Sequence, residues 1–505
     1  MLLFYLRPVL YIAHMNRFLK RFSRKSQPQI SAATLHPFDL DQPLLVFGND
    51  AWRIRDACEG TQIFGATGSG KTSGSGKAIA KAFLASGFGG LILTAKPDER
   101  ELWQRYASET GRENHLIIFS PSESWRFNFL DYEMNRSGAG AGQTENIVNL
   151  FSAVLEIAER RESASGSDSF WDRTVKDLLR NTIELLSLAK GSISLPEMRK
   201  IILSAPKNVQ EIADATWQQN SLCWQLLEAA QAKEKTPLEE NDFEQTADYW
   251  LSEFPNLAAK TRSIIVTSFS SMASIFLRGQ LRELFCTSTN VFPEDTHNGA
   301  LILIDMPVQE WRELGLFSQV VFKYLWQRAA ERRKVSDDSR PVFLWADESQ
   351  NFVTSYDSHF QSVSRSARVC SVYLTQNFPN YLRMLPGGKG QAEIHSLLGN
   401  FQTKIFHANT EQTTNQYASD IIAKSRQIKS SFSSSTSDNE QGSSHQTGIS
   451  GSEQIEYEVL PRDFTTLLKG GRDNNFIVEG ILFQGGRIWP ANNKNHLHIQ
   501  FDQRR

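Results

Sequence analysis

The sequence predicts an α/β fold: a mostly parallel sheet whose chain is interrupted by an all-helical insertion. Two observations carry that expectation. Short apolar runs bounded by glycine alternate with helix-patterned segments from Leu44 to about Leu130, and the alternation resumes at Ala300. Between about Gln143 and Phe285 the strand pattern vanishes. Strands that alternate with helices imply a parallel sheet covered on both faces.

In chain order, Thr61 to Phe64 is a short strand running into a glycine-rich loop, and Ala78 to Ser86 reads as the helix after it. Gly90 to Thr94 and His115 to Phe119 are further strands, short and apolar. Trp171, Val175, Leu178, Leu179, Ile183 and Leu186 then recur at helical spacing, and Pro196 sits near the start of the next helix. Leu257 to Phe285 reads as one long amphipathic helix. Strands return at Ala300 to Ile304, Val342 to Ala346, Val369 to Thr375 and Lys404 to Phe406. A serine-rich stretch from Lys424 to Glu453 has few large apolar residues and reads as a solvated loop or linker. Phe476 to Leu482 and His496 to Phe501 supply late strands. The domain expectation is a basic, apolar arm (1–43), a first core part (44–142), the all-α insertion (143–290), a second core part (291–424), the linker (425–456) and closing strands (457–505).

Composition narrows the classes. The 505-residue chain has a formal net charge of −2, so it is no wholesale basic nucleic-acid binder, although a local basic channel is compatible with that balance. Cys58, Cys223, Cys286 and Cys370 form no CxxC pair, which argues against a zinc knuckle or a disulfide framework and for a reducing compartment. In the arm, residues 2–13 are mostly apolar but contain Arg7 and Pro8, and six basic residues precede the first acid, Asp39. A spanning helix needs about 20 apolar residues, and the arm falls short. It reads as a peripheral arm touching a membrane surface or a partner, or as a mis-started terminus with Met15 as the true start.

Gly65-Ala66-Thr67-Gly68-Ser69-Gly70-Lys71-Thr72 follows one strand and precedes a helix. Wrapping a phosphate requires a backbone free to turn and amides aimed at the anion, which the glycines and the helix amino terminus supply. Lys71 is placed for the outer phosphates and the Thr72 hydroxyl for Mg²⁺, so the octapeptide is a P-loop and ATP with Mg²⁺ the expected ligand. Gly74-Ser75-Gly76-Lys77 fails as a second copy, because Lys71 stands where its leading glycine belongs.

Pro341 to Ala346 is an apolar strand ending in Asp347-Glu348. A strand beside the P-loop strand would deliver Asp347 to the metal and leave Glu348 to orient and deprotonate water. Asp305 ends a rival strand, but Met306-Pro307 follows it and no second carboxylate does. Gln376 ends the Val369–Thr375 strand, where its amide can sense a γ-phosphate. Arg365 and Arg368 lie just before that strand, and on spacing alone either is a candidate for an arginine supplied to a neighbouring subunit. His496 and His498 share a strand face without a third ligand, and Trp125, Trp171, Trp224 and Trp250 read as core residues.

The ordered set resembles type IV coupling proteins, the conjugative DNA-transfer ATPases of the FtsK/HerA superfamily. The set comprises the P-loop, helical insertion, apolar strand with Asp-Glu, and Arg-x₁₀-Gln. Leu93 to Glu99, Phe127-Asn128-Phe129-Leu130, Phe170-Trp171 and Gly399-Asn400 through Ile405 resemble further family elements, with Phe129 in place of a proline. The similarity spans roughly residues 44 to 485. The resemblance implies a RecA-like P-loop NTPase core, a homo-hexameric ring with DNA in its channel, and an arginine acting between subunits; its spacing to Gln376 selects Arg365. Membrane-channel or relaxase partners are implied too. Typical members begin with two membrane-spanning helices, which this sequence does not show. The expectation is therefore a cytoplasmic DNA translocase, peripheral at the inner membrane if the arm docks there. A soluble DNA pump of the same superfamily and a nucleotide-dependent recruitment platform that moves no DNA are the alternatives.

Overall fold

The computed structural model describes residues 36–159, 169–385, 387–439 and 442–504. The basic arm lies outside the described residues up to position 35.

The short apolar runs pair into one sheet. Its strands are β3 (Thr61–Phe64), β4 (Gly89–Leu93), β5 (Leu116–Phe119), β6 (Leu301–Ile304), β7 (Val342–Ala346), β8 (Val369–Thr375), β9 (Thr403–Phe406), β12 (Ile477–Gln484) and β13 (His496–Asp502). They lie in the order β13-β12-β9-β3-β8-β7-β4-β6-β5. The seven from β9 to β5 are parallel, whereas β12 pairs antiparallel with both β9 and β13. A separate antiparallel pair, β1 (Pro43–Phe47) and β2 (Asp50–Arg53), precedes the sheet.

Side chains alternate across the sheet, as period-two backbone requires. Phe64, Leu91, Leu93, Ile302, Ile304 and Leu344 enter one buried core, and Ile63, Ile92, Leu301, Leu303, Phe343 and Trp345 enter the other. The first core continues into the helical region between β5 and β6, where Phe119 packs its ring against Phe285, and onto the helical segment after β6 through Phe322, at centroid distances of 5.4 and 5.5 Å. Among the described residues that region holds helices such as Thr144–Glu159, Ser169–Lys190, Leu195–Ser204 and Pro237–Asp248, and no named strand. Trp250 is fully buried there and donates to the Asn181 carbonyl.

Three expectations change. Leu257 to Phe285 is two helices, Ala259–Phe276 and Gly279–Phe285, with an 82° bend between them. The sequence pattern continues through that bend, so periodicity did not reveal it. The helical segment Val308–Arg332, kinked at Arg312 where φ is +49°, was not anticipated. The serine-rich segment is not an irregular linker but a ribbon, β10 (Lys424–Asn439) paired antiparallel with β11 (Gly442–Tyr457). Its sparse apolar residues hold a strand period: Ile428, Phe432, Ile449 and Ile455 share one face, and each is exposed. The expected exposure is observed, but low hydrophobicity hid the alternation. No single described helix is long and apolar enough to cross a membrane.

Candidate nucleotide site

The P-loop stands at the carboxyl edge of the parallel strands, where β3 ends. Gly68 and Gly70 adopt φ of +73° and +85°, conformations that side chains disfavour, and so let the backbone reverse. Gly65 N–H donates to the Thr375 carbonyl and Ala66 N–H to the Ala408 carbonyl, which ties the loop to its neighbours β8 and β9. The loop leaves through a π-helical turn, Thr72–Gly76, before the regular helix Lys77–Ala85. Such turns concentrate at functional sites.

The acid pair meets this loop. Thr72 Oγ1 donates to Asp347 Oδ2 at 2.9 Å. Lys71 Nζ lies 3.4 Å from Glu348 Oε1. Asp347 was expected on a strand beside the P-loop strand, but β8 intervenes between β3 and β7. Crossovers between parallel strands leave strand order free, so the sequence did not specify it. The intervening strand places Gln376 between the two halves, with Nε2 at 3.3 Å from Glu348 Oε1. Glu348 adopts φ of +48°, a left-handed conformation that costs a non-glycine residue roughly 1–3 kcal/mol. Its own N–H donates to Asp347 Oδ1, and Asn351 donates to its carbonyl.

Two residues without an assigned role complete the cluster. Lys96 Nζ lies 3.4 Å from both Asp347 Oδ2 and Glu348 Oε1. Gln350 Nε2 donates to Glu348 Oε2 at 2.9 Å and is itself held by Thr375 Oγ1. Lys96 stands just past β4, in the segment that the resemblance singled out, so its position was legible but its partners were not. Burial pushes the Glu348 carboxyl up, but Lys71, Gln350, Lys96 and Gln376 together hold it below its ordinary range. Burial pushes the Lys96 ammonium down, and Asp347, Glu348 and Glu99 more than reverse it.

These groups line a cleft of ≈ 1040 Å³ that runs from Ala66–Ser73 past Lys96, Glu348 and Gln376 to Arg105, Tyr106 and Gln503. A buried lysine, a hydroxyl hydrogen-bonded to a carboxylate, and a turn of backbone amides facing one cleft fit a nucleoside triphosphate and Mg²⁺. Ser69 Oγ is buried at the loop without a hydrogen-bond partner.

Asp305 lies elsewhere. It ends β6, two strands beyond β7, and pairs with Arg100 at 2.8 Å. Arg365 is also outside the cleft: it precedes β8 at the opposite edge of the sheet, is 71% exposed, and pairs with Glu59 at 3.1 Å. Arg368 is buried and donates to the carbonyls of Phe38 and Ser339. No group of three metal-ligating His, Cys, Asp or Glu side chains occurs among the described residues, and His496 is a buried strand residue.

Fold and site define a RecA-like P-loop protein. Residues 341–466 match the family model described as the TraM recognition site of TraD and TraG. In three dimensions the chain is similar to the unbound bacterial conjugative coupling protein TrwBdeltaN70 (TM-score 0.58, 15% identity, 97% of this chain and 93% of that one). The plasmid coupling protein TrwB bound to a non-hydrolysable ATP analogue gives 0.55 at 16% identity, covering 97% and 94%; its complex with ADP and Mg²⁺ gives 0.56 at 16%, covering 97% and 93%. No curated protein is significantly similar in sequence. The family model covers residues 341–466, and the likeness to the solved coupling proteins, at 15–16% identity, is one of fold.

Proposed function

We propose that this chain is an ATP-driven DNA translocase that serves as the coupling protein of a conjugative, type IV secretion DNA-transfer system. The observation that carries the reading is that the segment matching TraD and TraG begins at the strand bearing Asp347-Glu348 and includes Arg365 and Gln376.

In this reading Gly65 to Thr72 wrap the phosphates of ATP, and Thr72 and Asp347 would hold Mg²⁺, which would offset phosphate charge. Lys71 exchanges Glu348 for the outer phosphates. Loss of that cation makes Glu348 more basic, so it can accept the proton of the attacking water. Gln376, already within reach of Glu348, orients that water. Arg365 cannot serve its own cleft: β8 separates it from Gln376, and seven residues of strand span roughly 20 Å. Its exposure suits a neighbouring subunit's nucleotide, which calls for a ring, and the homo-hexamer with DNA in its channel follows from the family resemblance. A relaxase and a membrane channel would be its partners in transfer.

Steady-state ATP turnover with and without single- and double-stranded DNA tests the reading. DNA-stimulated turnover is expected. Turnover indifferent to DNA would replace translocation with nucleotide-dependent recruitment.

A further inference from the structure

The C-terminal strand pair reaches back to the phosphate-binding loop. Val478 of β12 packs on it so closely that a Cβ on Gly70 would lie 2.4 Å from one Val478 methyl, and a Cβ on Gly74 2.9 Å from the other. His407, just past β9, makes a second and polar link. Its Nδ1 lies 2.7 Å from the Glu479 carbonyl oxygen and its Nε2 2.6 Å from Ser75 Oγ. Gly480 leaves room for the ring: a Cβ there would stand 3.1 Å from His407 Cε1.

The direction of these bonds is fixed by chemistry. A carbonyl oxygen only accepts, so Nδ1 carries the hydrogen and Nε2 is left as an acceptor. Ser75 has one hydroxyl hydrogen, and at 2.6 Å against 3.4 Å to the Lys71 carbonyl, His407 takes it. Burial, with Lys71 nearby, pushes the ring's pKa down to about 4 despite the Glu479 bond, so it is neutral at physiological pH. Ser75 is buried inside the π turn Thr72–Gly76, where the Lys71 carbonyl accepts from Gly76. Thr72 opens that turn and Lys71 precedes it. Holding Ser75 therefore holds the backbone from which both phosphate-site side chains project.

We propose that His407 is a positioning residue of the nucleotide site: bridging the Glu479 carbonyl and the Ser75 hydroxyl, it fixes the turn that aims Lys71 and Thr72 into the cleft. His407 touches no substrate itself. The inference rests on the nucleotide-binding reading of the same loop.

The test is equilibrium binding of Mg·ATP and steady-state turnover in Ser75→Ala, His407→Phe and His407→Gln, with the double variant Ser75→Ala/His407→Phe. Losing one buried hydrogen bond at this point should weaken Mg·ATP binding about tenfold in each of the first two variants. The effect should appear mainly as a raised KM, with kcat changed less than about threefold, because the turn serves ground and transition states alike. His407→Gln keeps an acceptor for Ser75 and should recover most of the affinity. The double variant should be no worse than His407→Phe, because both changes break one contact.

Variants that remain folded by circular dichroism and bind Mg·ATP within twofold of wild type would overturn the proposal. Effects that multiply in the double variant would also overturn it. If His407→Phe does not fold, Ser75→Ala and His407→Gln decide by the same binding criteria. Wild-type protein that fails to bind Mg·ATP would instead remove the underlying reading.

Discussion

The two edges of the parallel sheet carry different kinds of site. At the carboxyl edge, Lys71, Asp347 and Glu348 are buried and joined to Thr72, Lys96 and Gln376 by contacts of 2.9 to 3.4 Å. At the amino edge, Arg365 stands in solvent with Glu59 as its ion-pair partner. In the proposed reading the first cluster is complete inside one chain: it would supply a cation for phosphate, ligands for a metal and a carboxylate for water. The second is an exposed arginine paired with Glu59. In the proposed reading, binding and the first step of activation are built locally, whereas the last stabilising charge comes from another subunit.

The largest expected effect lies at the carboxyl edge. Lys71→Ala removes the only P-loop lysine and should abolish measurable Mg·ATP binding and turnover while the chain stays folded. Isothermal titration with a circular dichroism control checks it. Wild-type affinity in this variant would break the comparison at its root, because the buried cluster would then serve stability alone.

Arg365→Ala should bind Mg·ATP nearly as wild type does and turn over about 10³–10⁵-fold more slowly, the range found for an arginine supplied between subunits. Its charge matters once charge builds on the γ-phosphate, so binding survives. Mixing Arg365→Ala with Glu348→Gln sharpens the contrast between the edges. A mixed ring contains interfaces that pair an intact Glu348 with a neighbour's intact Arg365, and some turnover should return. If mixed rings form and no turnover returns, Arg365 is not the shared charge or firing requires every subunit intact. Full activity in a strictly monomeric preparation would remove the division between edges altogether.

Glu348→Gln should cost about 10²–10⁴ in turnover, the usual worth of a positioned proton acceptor, with Mg·ATP binding retained. The amide preserves shape but cannot take the proton. Single-turnover kinetics at saturating Mg·ATP separates the two steps. Turnover above a tenth of wild type would make Glu348 a structural anchor for Lys71 and Lys96.

How much of this was legible follows from distance along the chain. Gly65 to Thr72 is contiguous, and its glycines, lysine and threonine are recognisable without tertiary information. Asp347-Glu348 and Gln376 were legible because each ends an apolar strand. What joins them was not: β8 lies between β3 and β7, and no local pattern specifies that order. Lys96 meets Asp347 from 251 residues away, and His407 meets Ser75 from 332 away. The resemblance marks the position of Lys96 but not its partners, and a single sequence shows His407 as an unremarkable polar position. The ribbon β10–β11 failed for a different reason: its face of Ile428, Phe432, Ile449 and Ile455 is too dilute among serines to register as alternation.

The smallest expected effect belongs to Asp305, the acid that ends the wrong strand for this cleft. Asp305 and Asp347 both terminate apolar parallel strands at the same edge, so position alone does not separate them. Their partners do. Asp347 faces the Thr72 hydroxyl and Lys96, whereas Asp305 faces Arg100, which also holds Glu123 at 3.1 Å. Burial pushes the Asp305 carboxyl up against the opposing pull of Arg100. The pair is partly solvated, and ion pairs of that kind contribute about 0–1 kcal/mol. Asp305→Asn keeps an oxygen for Arg100 and should shift the melting temperature only slightly. Turnover at saturating Mg·ATP should stay within about twofold of wild type, since Asp305 is held by Arg100 and, unlike Asp347, makes no hydrogen bond to Thr72. A dead Asp305→Asn variant that still melts as wild type would move the catalytic acid two strands along the sheet, away from Thr72. It would also leave the buried contacts among Lys71, Lys96 and Glu348 without a catalytic purpose.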